Sequence, residues 1–175
     1  MTSHAKARIF IGLLAMGTCI TTAPAALGQS DPWRITNGRD GAITASVVSI
    51  GTLSVGSSRV IEYHPTFTIG CRPAEAGGGW SQALQLRDPV AGDRSVDLSL
   101  RVDGSAISEQ WALGFQKRSF SREGKDGVAR LLGARHLKIM WRFGFLAGRG
   151  EADFDLAGLQ EAVTRIGHMC GDELP

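Results

Sequence analysis

Several things are missing from this sequence of 175 residues, and each absence removes a class of function. No apolar run reaches the roughly 20 residues that a membrane-spanning helix needs; the stretch from Ile9 to Ile20 is too short. There are three cysteines and no CxxC pair, and His168-x-Cys170 alone lacks the ligand count of a zinc site. The glycine tract Gly77-Gly78-Gly79 is not followed by Gly-Lys-Ser/Thr, so it reads as a surface loop and not as a phosphate loop. Neither a G-x-S-x-G elbow nor a Cys-His spacing accompanies His64, His136 or His168. Internal repeats, long linkers and a second hydrophobic stretch are also missing. What remains is one domain with no catalytic constellation, no metal site and no cofactor motif.

The amino terminus carries an address. His4, Lys6 and Arg8 precede the apolar run Ile9 to Ile20, and Ala23-Pro24-Ala25 follows with small residues where a signal peptidase reads. The pattern predicts a cleavable signal peptide over 1–25, with a second possible cut after Gly28. Cys19 follows Thr18, not the small residue of a lipidation site, and so reads as part of the discarded apolar run. Cleavage after Ala25 leaves 150 of the 175 residues, 26–175, the size of a single exported domain. It also removes Lys6 and Arg8 and no acid, so 19 bases against 17 acids become 17 against 17. With no net charge, general nucleic-acid binding loses its electrostatic basis. The expected location is periplasmic or secreted, in a bacterial envelope, with no transmembrane helix in the mature chain.

Two cysteines remain in the mature part, Cys71 and Cys170. In an oxidising compartment an even pair reads as a disulfide; the alternative is two buried thiols. Between them a period of two dominates. Val96, Leu98, Leu100 and Val102 alternate with Ser95, Asp97, Ser99, Arg101 and Asp103, and Asp103-Gly104 supplies a turn. Trp111, Leu113 and Phe115 continue the alternation, and Leu137, Ile139, Trp141, Phe143 and Phe145 form another dry row. Ala42–Ile50, Arg59–Tyr63 and Thr66–Cys71 are further strand candidates. Gly127 to Ala134 has the pattern of a short helix with Val128, Leu131 and Leu132 inward.

The period then changes. Leu156, Leu159, Val163, Ile166 and Cys170 step by three and four, one stripe of an amphipathic helix. Asp155 is placed to cap its start and Gly171 its end. The expected fold is α+β: an antiparallel, sandwich-like sheet with a carboxyl-terminal helix pinned through Cys170. A hairpin should lead into that helix. With Ala147-Gly148-Arg149-Gly150 as its loop, Phe143 would face Phe154, Arg142 would face Asp155, Phe145 would face Ala152 and Trp141 would face Leu156.

Charge suggests two candidate sites. Between Phe115 and Arg149 bases predominate, and Lys117, Arg118, Arg122, Lys125 and Arg130 form a candidate basic patch for an anionic partner. Its alternative is neutralisation by the acidic segment that follows. Glu151, Asp153 and Asp155 alternate on one strand face, where paired carboxylates could do glycosidase-type work or simply form a solvated ion-pair face.

The segment Phe154-Asp155-Leu156-Ala157-Gly158-Leu159, then Ala162 and Cys170, resembles the carboxyl-terminal F-D-L-x-G-L…A…C element of VasI/TagO-like proteins, exported accessory proteins associated with type VI secretion. Ile69-Gly70-Cys71 is similar to that family's apolar-x-Cys strand end. Val96–Val102 with Trp111–Phe115 is similar to its Arg strand followed by a Trp strand. The Gly77–Gly79 tract and Trp141-Arg142-Phe143 depart from the pattern. The resemblance implies a non-enzymatic envelope accessory or binding protein whose partner is a protein or an envelope polymer. Two other readings stand beside it. One is an exported cell-wall hydrolase using carboxylates near Glu151–Asp155; the other is a secreted inhibitor or virulence-type binding module. The oligomeric state is open.

Overall fold

The alternation becomes strands that share one inner, dry face. A computed structural model describes residues 32–38, 41–55, 61–143 and 148–174. The expected signal peptide, both cleavage sites, Cys19, Phe145 and the start of the Arg59–Tyr63 candidate lie outside those residues. The strands are β1 (Arg34–Asn37), β2 (Ile43–Val48), β3 (Leu53–Val55), β4 (Ile61–Tyr63), β5 (Thr66–Arg72), β6 (Gly79–Gln85), β7 (Ser95–Val102), β8 (Ser105–Leu113), β9 (Ser119–Glu123), β10 (His136–Arg142) and β11 (Arg149–Asp155). Among the described residues there are two α-helices, α1 (Lys125–Ala129) and α2 (Leu159–Cys170). Nine strands form one antiparallel sheet in the order β1-β2-β5-β6-β9-β8-β7-β10-β11, while β3 and β4 pair separately. This is the mainly antiparallel sheet with a carboxyl-terminal helix that the periodicities predict.

The sheet curls until its inner face meets itself. Phe67 on β5 and Phe154 on β11 are far apart in strand order, yet their ring centroids lie 5.6 Å apart. The Ile50 N–H, just past β2, donates to the Asp153 carbonyl of β11 at 2.8 Å. Between the two wings lie the buried rows Ile43, Ala45 and Val47, then Phe67, Ile69 and Cys71, then Val96, Leu98 and Leu100. α2 lies over β2 and β5 and buries Leu159, Ala162, Val163, Ile166 and Cys170. Cys170 is bonded to Cys71 across 99 residues, with Cα atoms 6.3 Å apart. The helix stripe and the strand parity therefore bring the two sulfurs together from independent directions. The Trp80 indole N–H donates to the Asp172 carbonyl at 3.1 Å, so the residues just after the helix are fastened as well.

Three local expectations need correction. Asp155 belongs to β11 and does not cap α2. Its Oδ1 accepts the Ala157 N–H at 2.9 Å, and the helix is entered through Gly158, whose φ of 78° suits glycine. Phe115 does not continue the strand; it sits in a short 3-10 turn and is 87% exposed. The β10–β11 hairpin keeps the predicted parity but not the register. Phe154 faces Leu137, Ala152 faces Ile139, Asp155 faces His136, and Arg142 faces Arg149. Leu137, Ile139, Trp141 and Phe143 still share the dry face with Ala152 and Phe154. The observed register places Gly150 opposite Trp141 and not in the turn. A Cβ at that position would come within 2.6 Å of the Trp141 indole atoms, so this register requires glycine there. The hairpin instead turns just after Phe143, whose N–H donates to the Gly148 carbonyl at 3.1 Å.

Candidate functional site

The five residues of the candidate basic patch divide into two groups. Arg122 on β9, Lys125 on α1 and Arg130 just beyond α1 gather around that short helix. Lys117 and Arg118 precede the other end of β9, and the Lys117 ammonium donates to the Gly92 carbonyl at 2.5 Å. The first group is engaged in ion pairs. Arg122 bonds Asp126 and reaches Glu109 at 3.7 Å, Arg130 bonds Glu109, and Lys125 bonds Asp172 beyond α2. The Asp126 hydrogen bond, with Coulomb support from Glu109, holds the Arg122 guanidinium above its ordinary pKa; the same bond holds the Asp126 carboxyl below its own.

Glu109 is the hub of this cluster, and it sits on the inner face. β8 turns Ile107, Glu109, Trp111 and Leu113 the same way, and Glu109 faces buried Leu98 across the ladder. Its side chain is 9% exposed. One carboxylate oxygen accepts the Trp111 indole N–H at 2.8 Å, and the other takes Arg130. The neighbouring Gln82 on β6 is 1% exposed and faces Arg122. Gly127 of α1 lies against both; a Cβ there would come within 3.0 Å of Gln82 Nε2. A carboxylate largely shielded from water and flanked by two guanidiniums and an indole N–H is a structural clamp between α1, β8 and β9. The signal for it was a single charge in an otherwise dry row.

The three carboxylates of β11 point outward. Lys138 of β10 stands between two of them, its Nζ 3.5 Å from Glu151 Oε1 and 3.3 Å from Asp153 Oδ2. The hydrogen bond to Asp153 raises the Lys138 pKa above its ordinary value. Asp155 is occupied with the Ala157 turn. The structure thus joins Glu151 and Asp153 through a cation and sets Asp155 to a backbone task. His64 Nδ1 lies 2.9 Å from the Ser49 carbonyl, while His136 and His168 are exposed on β10 and α2.

A third arrangement, which no motif announced, occupies the outer face of β8, β7, β10 and β11. The ladders set Ser108, Ser99 and Met140 in one cross-strand row. On one side of that row Arg101 faces Lys138; on the other Arg142 faces Arg149. Short side chains make the floor and arginines make the walls of an open groove of about 660 Å³. Asp97 also lines it, and accepts a hydrogen bond from Gln110 Nε2 at 3.4 Å. Among the described residues, no ion pair engages Arg101, Arg142 or Arg149. No grouping of three or more His, Cys, Asp or Glu suited to a metal ion occurs among the described residues. No family model, no curated protein and no solved structure matches the chain.

Proposed function

We propose that this chain is an exported accessory or binding protein of the bacterial cell envelope that works without chemistry of its own, in association with a type VI secretion apparatus. The observation that carries the reading is the Cys71–Cys170 disulfide. Such a bond persists outside the reducing cytoplasm, and here it fixes the helix that covers the inner face of the sheet. The signal-like amino terminus and the resemblance of the Phe154–Cys170 segment to VasI/TagO-like proteins support the same conclusion. Against the hydrolase reading, Glu151 and Asp153 share Lys138 on an outward strand face, an ion-pair arrangement. Against the basic-loop module, Arg122, Lys125 and Arg130 already serve acids of the same chain.

The test has two arms. The full chain, expressed in a bacterium that carries the secretion apparatus, should fractionate with the envelope, and its deletion should lower secretion without altering wall digestion. Purified chain should release no fragments from wall material. Release that disappears in Glu151→Gln or Asp155→Asn would replace this reading with the hydrolase. A cytoplasmic location would remove its premise.

A further inference from the structure

We infer that the outer groove of β7, β10 and β11 is a binding site for a short acidic oligosaccharide. This deepens the proposed envelope role by naming the ligand chemistry, and it rests on that reading only for where the ligand is met.

The first argument is electrostatic. Like charges directly opposite on neighbouring strands are unfavourable, yet Arg142 and Arg149 are cross-strand partners. Neither has an ion-pair partner among the described residues. Lys138, four residues back along β10 on the same face, is compensated twice, so acids are close by but are spent on the lysine. Arg101, which also lines the groove, has no ion-pair partner among the described residues either. Guanidiniums present planar forks that match carboxylates bidentately, so the site selects carboxylate-bearing ligands over point anions.

The second argument is length. Arg101 stands in the Lys138 row, and Arg142 is four residues further along β10. At about 3.3 Å per residue the two cationic ends are about 13 Å apart. A single small anion cannot satisfy both, whereas an elongated ligand with acidic groups at each end can.

The third argument is the floor. Between the arginines lie Ser99 and Ser108, whose hydroxyls donate and accept, while Asp97 lines the groove two residues further along β7. Met140 adds an apolar surface for the carbon face of a sugar ring. Hydroxyl groups need partners of both kinds, and the two serines supply both. The groove therefore fits hydroxyls in the middle and carboxylates at the ends.

Trigalacturonate serves as the probe, with maltotriose as the neutral sugar and triglutamate as the acidic peptide. Titration calorimetry at low salt, with amide shifts mapped on the labelled mature chain, should show trigalacturonate binding at β7 and β10. Maltotriose should bind at least tenfold more weakly, and so should triglutamate. Arg142→Gln and Arg149→Gln should each weaken trigalacturonate at least tenfold, while Arg118→Gln leaves it unchanged. The free Arg149→Gln protein should melt at the same or a higher temperature than the parent, because the like-charge contact is gone. Equal or tighter binding of triglutamate would overturn the saccharide assignment in favour of an acidic peptide. Absence of trigalacturonate binding, or binding indifferent to Arg142→Gln and Arg149→Gln in folded variants, would overturn the site. Envelope location of the full chain is measured separately, so a failed groove leaves the export reading standing and a cytoplasmic chain leaves the groove measurement interpretable.

Discussion

The two helices cover two regions of the same inner face in opposite ways. Over β2 and β5, α2 has twelve residues, enough for a full apolar stripe, and the cover is hydrophobic with a covalent pin at Cys170. Over β6 and β9, α1 has five residues and buries only Gly127 and Val128. There the cover is polar: Glu109 holds Arg130 and Arg122, and Lys125 ties α1 to Asp172. A long stripe can exclude water by area alone. A single turn cannot, and the chain compensates with charge-assisted bonds whose geometry must be satisfied at every member. The first region should therefore tolerate volume-conserving changes and fail on truncation, while the second should fail on loss of one hub.

The largest effect is expected where the wings meet. Phe154→Ala removes a fully buried ring that touches Phe67, and should cost about 3–5 kcal/mol in chemical denaturation. A much smaller loss would mean that the curled sheet does not close at that point. Removing the disulfide by Cys71→Ala with Cys170→Ala should cost about 2–5 kcal/mol, read as a fall in melting temperature. Hydrogen exchange should then speed up in α2 before it does in β7 and β8. Uniform acceleration would show that the two regions are not separable in this way.

The polar cover is probed next. Glu109→Gln should cost about 1–3 kcal/mol, because the buried Trp111 indole N–H and two partly exposed guanidiniums lose a charged acceptor. Arg118→Gln, in the unclustered group, should be neutral within about 0.5 kcal/mol. Similar losses for both would erase the distinction between hub and surface. The smallest effect concerns acid. The Asp126 carboxyl has a lowered pKa, chiefly through its hydrogen bond to Arg122. Its contribution is therefore present above the ordinary carboxylate value of 3.8 and is lost as pH falls through the lowered folded value. The group is exposed and screened, so Asp126→Asn should flatten the acid limb of a stability curve only slightly at low salt, and not at all at high salt.

The contrast between the regions also explains what could be read from the residues. The β7–β8 hairpin was legible because the apolar alternation of β7 is unbroken, Trp111 and Leu113 resume it in β8 beyond Glu109, and Asp103-Gly104 forms the turn, both residues at positive φ. The α2 stripe and the Cys71–Cys170 pair were legible for the same reason: burial there is purely apolar. β6 was hidden because Gln82 occupies the inner row between Trp80 and Leu84. β9 was hidden because Phe120 is its only fully buried side chain. Parity in β10–β11 was legible and register was not, since an even slip preserves every face, and the need for glycine opposite Trp141 shows only in the folded chain. The cationic groove was illegible because its arginines come from three strands and no spacing along the chain links Arg101 to Arg149.

The central claim is that a domain proposed to be exported has its last helix pinned to its sheet by the Cys71–Cys170 bond. Mass spectrometry of the chain recovered from the envelope, alkylated without reduction, addresses it directly. The account predicts no alkylation at Cys71 or Cys170, a mass gain at both after reduction, and an amino terminus at Ala26 or Gln29. Two freely alkylated thiols on a chain that still begins at Met1 would contradict it.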